Sequence, residues 1–163
     1  MTAWTTLLPT EIGPLRILVD GDGRLCEINF HGGECSTEAM QSETKCAHVT
    51  RQLSEYFAHQ RQEFDLQLAC RGTDFQMSVW SELTRIPFGT TISYRELARR
   101  VGRPKAVRAV GGANGRNPIP IVVPCHRVIG ASGQLSGFGG GVATKRALLE
   151  FEGALMNPGL FDG

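Results

Sequence analysis

The adjacent residues Cys125 and His126, in the segment VVPCHRVIG, are the first candidates for chemistry in this chain. Neighbouring side chains of a strand point to opposite faces, so these two can meet only where the chain turns. Pro124 favours a turn because it fixes its own φ angle and offers no N–H to a sheet. A cysteine acts as a nucleophile only as its thiolate, which needs a base or a cation nearby. His126 and Arg127 are suited to these two tasks.

A catalytic histidine also needs a group that fixes its tautomer, and a downstream carboxylate is a candidate for that role. The segment VATKRALLEFEG predicts a helix that ends at Gly153. Glu150 and Glu152 lie in its last turn, where the helix dipole disfavours negative charge. A local rule broken in this way indicates function, although surface glutamates are common. Taken alone, a buried inert cysteine beside a hydrogen-bonded core histidine is the commoner explanation of a Cys-His pair.

The charge of the chain is divided between its two halves. Residues 1–73 hold 6 basic and 10 acidic side chains, a net charge of −4, whereas residues 74–163 hold 11 and 6, a net charge of +5. The basic excess is greatest in RRVGRPKAVR, residues 99–108, which carries five cations and no carboxylate. This distribution indicates a polyanionic partner for the second half. A solvated helix face is the alternative, and charge alone favours it.

The basic cluster falls on two predicted helices. An earlier helix of the second half begins at an N-cap, Asp74, and is stopped by Pro87. Ser93 and Glu96 form a capping-box pattern at the start of the next helix. After the turn GRP, a helix of small residues begins near Lys105. Helix, short glycine-containing turn and helix together are the outline of a helix-turn-helix.

The second helix of this pair presents a thin surface. Long side chains would be needed to read base edges in a major groove. Apart from Arg108, this helix offers small residues, namely Ala106, Ala109, Gly111, Gly112 and Ala113. Such a helix can approach a narrow groove or the DNA backbone closely, and close packing against another helix is the alternative.

The first part of the chain mixes strands with a helix. LRILVDGDGRLCEINF predicts a hairpin, since two alternating apolar runs flank the turn signal DGDG. ETKCAHVTRQLSEYFAHQ predicts a helix, and EFDLQLA predicts another strand. We interpret the four cysteines of this part as structural or incidental: Cys26, Cys35, Cys46 and Cys70. With no CxxC motif, no secretory signal and no apolar run of membrane-spanning length, the sequence predicts a reduced cytoplasmic protein.

Longer motifs around the Cys-His pair are far more specific. PCHRV at 124–128, NPIP at 117–120, RAVGGAN at 108–114 and SYRELA at 93–98 resemble the active-site region of the O6-alkylguanine-DNA alkyltransferases. The resemblance is dense over residues 73–153 and looser before them, in PTEIGPLRILVDGDGRL. It implies DNA repair by direct reversal. The alkyl group of O6-alkylguanine, and of O4-alkylthymine, would pass irreversibly to a cysteine of the protein, once per molecule.

The resemblance implies a role for each matching residue of the reaction centre. Cys125 would be the alkyl acceptor, His126 the base that acts through a water, and Glu152 the carboxylate that polarises His126. Asn117 would tie the helix-turn-helix to the active-site loop. The Tyr94 hydroxyl would stabilise the leaving guanine at N3.

The resemblance also implies a DNA-binding surface and a substrate pocket. Arg108 would fill the space left by a flipped nucleotide, and further DNA contacts are expected from Ala109, Gly111, Ala106, Ser93, Thr91, Arg116 and Ser132. The carbonyls of Cys125 and Val128 would accept from the guanine amine, while the Gly139 N–H would approach O6. The pocket itself would be formed by Val128, Phe138, Gly139, Gly140 and Asn114.

The expected architecture is a two-domain α/β fold. A small N-terminal ribonuclease-H-like α/β domain is expected at 1–72, a mostly helical, winged-helix-like domain with the helix-turn-helix at 73–157, and a tail at 158–163. No cofactor is expected, and Cys26 with His31 offers too few ligands for a structural metal. The expected partner is double-stranded DNA containing alkylated bases, bound by a monomer or cooperatively along the DNA, without a membrane. The chain is too short for the cysteine-rich N-terminal domain of adaptive-response relatives, so a methyl-triggered transcription role is not expected.

Three other functions fit parts of the sequence. A lesion sensor would bind alkylated bases without repairing them, but relatives of that kind lack the acceptor cysteine. A cysteine hydrolase would use Cys125 and His126 on small esters or peptides, which leaves Arg108 and the cationic helices without a purpose. A plain DNA-binding regulator leaves the PCHRV segment and Glu152 without a role.

Overall fold

The computed structural model describes residues 2–135 and 138–155, so the tail predicted at 158–163 lies outside the described residues. The chain separates into two compact units: residues up to 71 with 118–122 form one, and residues 72–117 with the chain from 123 onward form the other. The segment 118–122 thus groups with the first unit, although the sequence-based division assigned it to the second domain. Its Pro118 carbonyl accepts a hydrogen bond from the Ile28 N–H at 3.0 Å, which anchors it within that unit.

The first unit contains a four-stranded sheet in the order β3–β2–β1–β4. Its strands are β1 (Ala3–Leu8), β2 (Leu15–Asp20), β3 (Leu25–Asn29) and β4 (Met40–Gln41). β1 pairs with β4 in parallel, and the other pairs are antiparallel. β2 and β3 form the predicted hairpin, which is confirmed. In its turn the Asp20 carboxylate accepts the N–H groups of Asp22 and Arg24 at 3.0 and 2.9 Å.

The helix of the first unit, α1 (Glu43–Phe57), packs against β1 and β2. The Ser42 hydroxyl caps it by accepting the Lys45 N–H at 3.2 Å. Its buried face follows the three-to-four-residue spacing in the sequence and includes Cys46, Val49, Leu53 and Tyr56. The predicted helix is therefore confirmed, and Cys46 fills the core as expected for a structural thiol.

The strand predicted at EFDLQLA, residues 63–69, is wrong. This segment contributes an isolated parallel bridge between Leu68 and Leu25 but no strand. The reason lies on α1, where the Gln52 side-chain amide donates to the Asp65 carbonyl and accepts from the Asp65 N–H, both at 2.9 Å. A side chain satisfies backbone groups that a neighbouring strand would otherwise bind. Alternating apolar residues therefore do not produce a strand here.

The second unit is mostly helical. Its helices are α2 (Asp74–Leu83), α3 (Tyr94–Arg100), α4 (Val107–Gly115) and α5 (Val142–Phe151), and the short strands β5 (Ile92–Ser93) and β6 (Val128–Ile129) pair in parallel. α4 packs against α2 and α3. The Trp80 indole N–H of α2 donates to the Ala113 carbonyl of α4 at 2.8 Å. One strand-and-helix unit and one mostly helical unit together are the predicted two-domain α/β organisation.

The start of α2 differs from the prediction. Its N-cap is Thr73, not Asp74. The Thr73 hydroxyl accepts the Gln76 N–H at 3.1 Å, and the Gln76 side chain accepts the Thr73 N–H at 3.0 Å. This reciprocal capping box satisfies two backbone donors at once, so the helix begins around Thr73 and leaves Asp74 in its first turn.

The predicted helix-turn-helix consists of α3 and α4. Ser93 caps α3 by accepting the Glu96 N–H at 3.0 Å, as predicted. The reciprocal half of that capping box is not formed, because the Glu96 carboxylate binds the guanidinium groups of Arg99 and Arg100. α4 begins at Val107 rather than near Lys105, since the preceding residues first close a turn of their own.

The end of α5 separates the two candidate carboxylates. α5 ends at Phe151 and Glu152 is its C-cap, followed by Gly153 in a left-handed conformation with φ 75°. Glu150 is exposed, whereas Glu152 is only 6% exposed. The carboxylate that enters the interior is therefore that of Glu152. Among residues 2–135 and 138–155, no helix combines the length and apolar character needed to cross a membrane.

Candidate active site

Cys125, His126 and Arg127 form a single 3₁₀ turn between Pro124 and β6. The Arg127 N–H closes this turn on the Pro124 carbonyl at 3.1 Å. The turn predicted from Pro124 is therefore confirmed, and it removes the strand geometry that would separate Cys125 from His126. All three side chains are buried, with His126 fully enclosed. A thiol, an imidazole and a guanidinium are thus buried on three consecutive residues.

Glu152 is the anion of this cluster. The imidazole Nε2 of His126 lies 2.8 Å from Glu152 Oε2, and Arg127 donates through Nε to Oε1 at 2.8 Å and through Nη2 to Oε2 at 2.9 Å. A third guanidinium nitrogen, Nη1, donates to the Ile86 carbonyl at 2.6 Å. Burial opposes ionisation of Glu152, but the bonds from His126 and Arg127 outweigh it and hold its pKa well below the usual range. The carboxylate is therefore ionised and held in one orientation.

The arrangement sets the tautomer of His126. The ionised Glu152 can only accept a hydrogen bond, so the Nε2 of His126 carries the proton and donates it to this carboxylate. Nδ1 is then the nitrogen that can accept a hydrogen bond. Nδ1 is buried and has no hydrogen-bond partner among the described residues. Burial lowers the pKa of His126, and the charges of Arg127 and Lys145 add to that effect while Glu152 opposes it. His126 is thus a neutral imidazole with a vacant acceptor nitrogen, which is the state a general base requires.

The thiol of Cys125 is not activated by its surroundings at rest. Burial raises its pKa to about 11, while a hydrogen bond from Asn117 and the charge of Lys145 oppose that rise. At neutral pH the group is therefore a thiol, and a nucleophilic reaction needs a base to take its proton. The expectation that Arg127 supplies the cationic environment of the thiol is wrong, because its guanidinium is bound to Glu152 and to the Ile86 carbonyl.

Two asparagines attach the 3₁₀ turn to the end of α4. Asn117 donates its side-chain amide to the Val123 carbonyl at 2.7 Å, and Asn114 donates to the Cys125 carbonyl at 3.4 Å. Asn114 is buried, and its Oδ1 lacks a partner among the described residues. These two hydrogen bonds connect the end of α4 to the loop of Cys125, and the linking role of Asn117 stays a prediction. An amide with one unsatisfied end beside Cys125 leaves a polar contact available there.

Lys145 is the residue that sequence reasoning missed. It lies on α5 with its side chain fully buried, and its Nζ donates to the Tyr94 hydroxyl at 3.3 Å. The same nitrogen is 5.6 Å from the centre of the Tyr94 ring. Burial lowers the pKa of Lys145 to about 8, and the nearby Cys125 opposes that shift. A signal was present: Lys145 shares the buried side of α5 with Leu148 and Leu149, where a cation is out of place.

The residues predicted to bind DNA fall into two groups of the second unit. Arg108, Ala109 and Arg116 are exposed along α4, and Ala106 is half-buried at its N-terminus. Gly111 faces the Tyr94 ring, where an added Cβ would lie 3.6 Å from the ring carbon. The other three, Thr91, Ser93 and Ser132, line an open depression of about 330 Å³.

The residues predicted to form the substrate pocket differ in how deeply they are buried. Val128 and Gly140 are buried, Phe138 is half-buried, and Gly139 is exposed with open space on its Cβ side. The Phe138 carbonyl accepts the Gly141 N–H at 3.0 Å. Residues 136 and 137, immediately before Phe138, lie outside the described residues. Among the residues that are described, no group of three or more His, Cys, Asp or Glu side chains is arranged to hold a metal ion.

Comparison with known proteins identifies relatives of both units. Residues 74–154 match the family described as "6-O-methylguanine DNA methyltransferase, DNA binding domain", and residues 4–70 match its "ribonuclease-like domain". A methylated-DNA–protein-cysteine methyltransferase of Methanosarcina acetivorans is 45% identical over 152 residues, covering 91% of this chain and 97% of that protein. A protein of the same name from Mycobacterium tuberculosis is 62% identical over 101 residues, covering 62% of this chain and 61% of that protein.

Solved structures agree with the sequence comparison. The structure of OGT from Mycobacterium tuberculosis in complex with DNA superposes with a TM-score of 0.85 and 46% identity, and the match covers 94% of each chain. An O6-methylguanine-DNA methyltransferase from Pyrococcus kodakaraensis superposes with a TM-score of 0.63 at 26% identity, covering 93% of this chain and 99% of that one.

Proposed function

The chain belongs to the methylated-DNA–protein-cysteine methyltransferase family, and we propose that it repairs O6-alkylguanine in double-stranded DNA by transferring the alkyl group to its own Cys125. One observation supports the choice of Cys125 as the acceptor residue. Cys125 shares a buried turn with His126, whose Nε2 is bound to Glu152 and whose Nδ1 is vacant. A buried thiol needs a neutral base held in one tautomer, and this arrangement supplies it. We extend the proposal to O4-alkylthymine as a second substrate.

The first step is activation of the thiol. The Cys125 proton passes through a water to Nδ1 of His126, and the Glu152 carboxylate stabilises the imidazolium that forms. Arg127 does not take part in the proton transfer. It keeps Glu152 ionised and oriented by two hydrogen bonds, so that the carboxylate is present when His126 becomes charged.

The second step is displacement. The alkyl carbon is inaccessible inside a duplex, so the nucleotide must be flipped out, and Arg108 on the exposed face of α4 fills the space it leaves. The thiolate attacks the alkyl carbon while guanine leaves, aided by the Tyr94 hydroxyl at N3. Guanine is held by the backbone of Cys125, Val128 and Gly139. The thioether that results is stable, so each molecule repairs one lesion.

The DNA-binding surface is proposed to be α3 and α4. Arg108, Ala109 and Gly112 form an exposed face of α4 with one long side chain among small ones, and such a face suits a minor groove. We further propose that this unit is winged-helix-like, that the first is ribonuclease-H-like, and that the protein acts as a monomer. The cytoplasmic location stays a prediction.

The experiment that tests the function is intact-mass analysis with peptide mapping after mixing the protein with a duplex that carries one O6-methylguanine. We expect a single methyl group on the peptide that contains Cys125, saturating at one per molecule. Cys125→Ser is the control, and it should bind the lesion duplex without gaining mass. Lesion binding without methylation of the unsubstituted protein would replace repair by the lesion-sensor function. Methylation of Cys125→Ser would move the acceptor to another residue.

A further inference from the structure

Two buried polar atoms near the nucleophile have no hydrogen-bond partner in the described part of the protein. They are Oδ1 of Asn114 and Nδ1 of His126. Asn114 is bonded to the Cys125 carbonyl, and His126 is the next residue along the chain. A buried polar group left without a partner costs about 1 to 3 kcal/mol, so such atoms usually mark a bound water or a function. Two of them beside one cysteine therefore require an explanation.

The side-chain amide of Asn114 has one permitted orientation. Its Nδ2 lies 3.4 Å from the Cys125 carbonyl oxygen, and only the NH₂ end of an amide can donate to that oxygen. A rotation of the amide by half a turn would bring two acceptor oxygens together. Oδ1 is therefore the end directed away from the carbonyl, and it can only accept a hydrogen bond.

Nδ1 of His126 is an acceptor too, because Nε2 carries the proton that is donated to Glu152. Two acceptors cannot satisfy each other, so both need a donor from a third group. The Cys125 thiol has a single proton and cannot serve both. A buried water makes about three hydrogen bonds. Two donated bonds to these acceptors and one accepted bond from the thiol equal that number.

The substrate is the other group that brings donors to the site, through the exocyclic amine of guanine. The family resemblance assigns that amine to the carbonyls of Cys125 and Val128. Oδ1 of Asn114 and Nδ1 of His126 are both closed to solvent, whereas a guanine ring has to enter from outside. An enclosed pair of acceptors therefore suits a water better than a base.

On the basis of the proposed function, we propose that Asn114 is a positioning residue that holds the water through which Cys125 loses its proton. The water donates one hydrogen to Asn114 Oδ1 and the other to His126 Nδ1, so its oxygen is left to accept from the thiol. When Cys125 is activated, the S–H bond breaks and that proton joins the water oxygen, while the water proton that faces Nδ1 passes to His126. The water is regenerated, and a thiolate and an imidazolium replace two neutral groups, so the total charge is unchanged.

The kinetic test uses Asn114→Leu, which keeps the branched shape of the side chain and removes its acceptor. Single-turnover methyl transfer is measured at pH 7 with a saturating duplex that carries one O6-methylguanine. We expect transfer to slow by about 30-fold, a part of the 100-fold or more that a positioned base contributes. Asn29→Leu is the matched control, since it removes an asparagine of β3 whose amide binds Glu27, and it should not change the rate. An unchanged rate in Asn114→Leu would overturn the proposal.

The pH profile separates a positioned water from a purely structural contribution of Asn114. Burial raises the pKa of the Cys125 thiol to about 11, so between pH 7 and pH 10 hydroxide increasingly removes the proton that the relay would carry. The ratio of the unsubstituted rate to the Asn114→Leu rate should therefore fall to about threefold or less at pH 10. The other titratable groups around Cys125 and His126 are present in both proteins, so their effects cancel in the ratio; they are Arg127, Lys145, Glu152 and, next to Lys145, Tyr94. A ratio that is constant with pH would contradict the relay.

A crystal structure of the unsubstituted protein, at a resolution that shows ordered waters, tests the inference even where Asn114→Leu fails to fold. We expect a water within hydrogen-bond distance of both Asn114 Oδ1 and His126 Nδ1. A site without that water, or a water that contacts His126 but not Asn114, would overturn the positioning role. Failure of Cys125 methylation in the unsubstituted protein would refute the proposed function. Normal methylation with a rate indifferent to Asn114→Leu would refute only the role of Asn114.

Discussion

Two carboxylates of the second unit each bind two basic side chains, yet they belong to different regions. Glu152 binds His126 and Arg127 inside the active site and is 6% exposed. Glu96 binds Arg99 and Arg100 on the outer side of α3, where its side chain is 30% exposed. Both have lowered pKa values, that of Glu96 to about 2. The two carboxylates make similar contacts, and they differ in how deeply they are buried.

Burial changes what each contact means. Around Glu96, water can replace any partner that is lost, so the arginines remain available to DNA. Glu152 and Arg127 are both buried, so removal of the carboxylate charge leaves the Arg127 guanidinium uncompensated. The buried cluster therefore holds its groups in one arrangement, which a proton transfer needs. The α3–α4 surface instead offers cations that can exchange their partners for phosphates.

The largest effect is expected from Glu152→Gln. The loss of its charge leaves the Arg127 guanidinium buried without an anion, which should lower the free energy of unfolding by about 3 to 5 kcal/mol at pH 7. Transfer should fall as well, because the His126 imidazolium loses its stabilising charge. Urea denaturation followed by fluorescence measures the first effect, and single-turnover methyl transfer measures the second.

Glu96→Gln is the matched control, since it also removes a carboxylate with two basic partners. A far smaller change in stability is expected, because both arginines are re-hydrated. The pH dependence adds a check. The pKa of Glu152 is depressed in the folded state, so its contribution is present above its ordinary pKa of 4.5 and is lost as the pH falls below that value. The stability difference between the unsubstituted protein and Glu152→Gln should therefore narrow below pH 4.5. Equal losses for both variants would mean that burial does not distinguish the two regions.

A smaller effect of opposite sign is expected from Lys145→Met. The pKa of Lys145 is lowered from 10.5 to about 8 by folding, so its ammonium form destabilises the folded state by about 3 kcal/mol at pH 7. Lys145→Met should therefore raise the free energy of unfolding. Because the folded state loses its Lys145 proton first, the gain should shrink by about 1 kcal/mol between pH 7 and pH 9. Denaturant titrations at both pH values measure it, and a destabilised Lys145→Met variant would contradict this account of burial.

The smallest effect on the stability of the folded protein is expected from Arg108→Ala, on the exposed α3–α4 surface. Stability should be unchanged, because Arg108 is exposed on α4. Transfer from duplex DNA should fall by about tenfold, since the flipped nucleotide loses the group that fills its place. Transfer from free O6-methylguanine base should be unaffected. Arg51→Ala, which removes an exposed arginine of α1, is the control, and equal losses on duplex and free base would exclude the nucleotide-replacing role.

Most elements were predictable because their signals are local. The DGDG turn between alternating strands, the spacing of apolar residues in α1 and the serine before α3 each act within a few residues, and the structure confirms all three. The strand predicted at 63–69 failed because a side chain from another element, Gln52, satisfies the backbone of Asp65. Periodicity alone carries no information on such a competitor.

The candidate site was predictable to the extent that its motifs are contiguous. Cys125 and His126 are adjacent, and an unfavourable position at a helix end made Glu150 and Glu152 candidates, of which the family resemblance singled out Glu152. The part played by Arg127 was misjudged and Lys145 was overlooked. Arg127 meets Glu152 across 25 residues of chain, and Lys145 meets Tyr94 across 51. No spacing rule of a helix or strand connects residues that far apart.

The sequence by itself determined the family, and it predicted Cys125 as nucleophile, His126 as its base and the two helices that carry the basic cluster. These follow from short motifs and from propensities that act over one or two turns of chain. Only the tertiary structure decided which charges are buried, which nitrogen of His126 is vacant, and which cation faces Cys125 and Tyr94. Burial and the distances between remote side chains are properties of the packed interior, and they set the pKa values on which the chemistry depends.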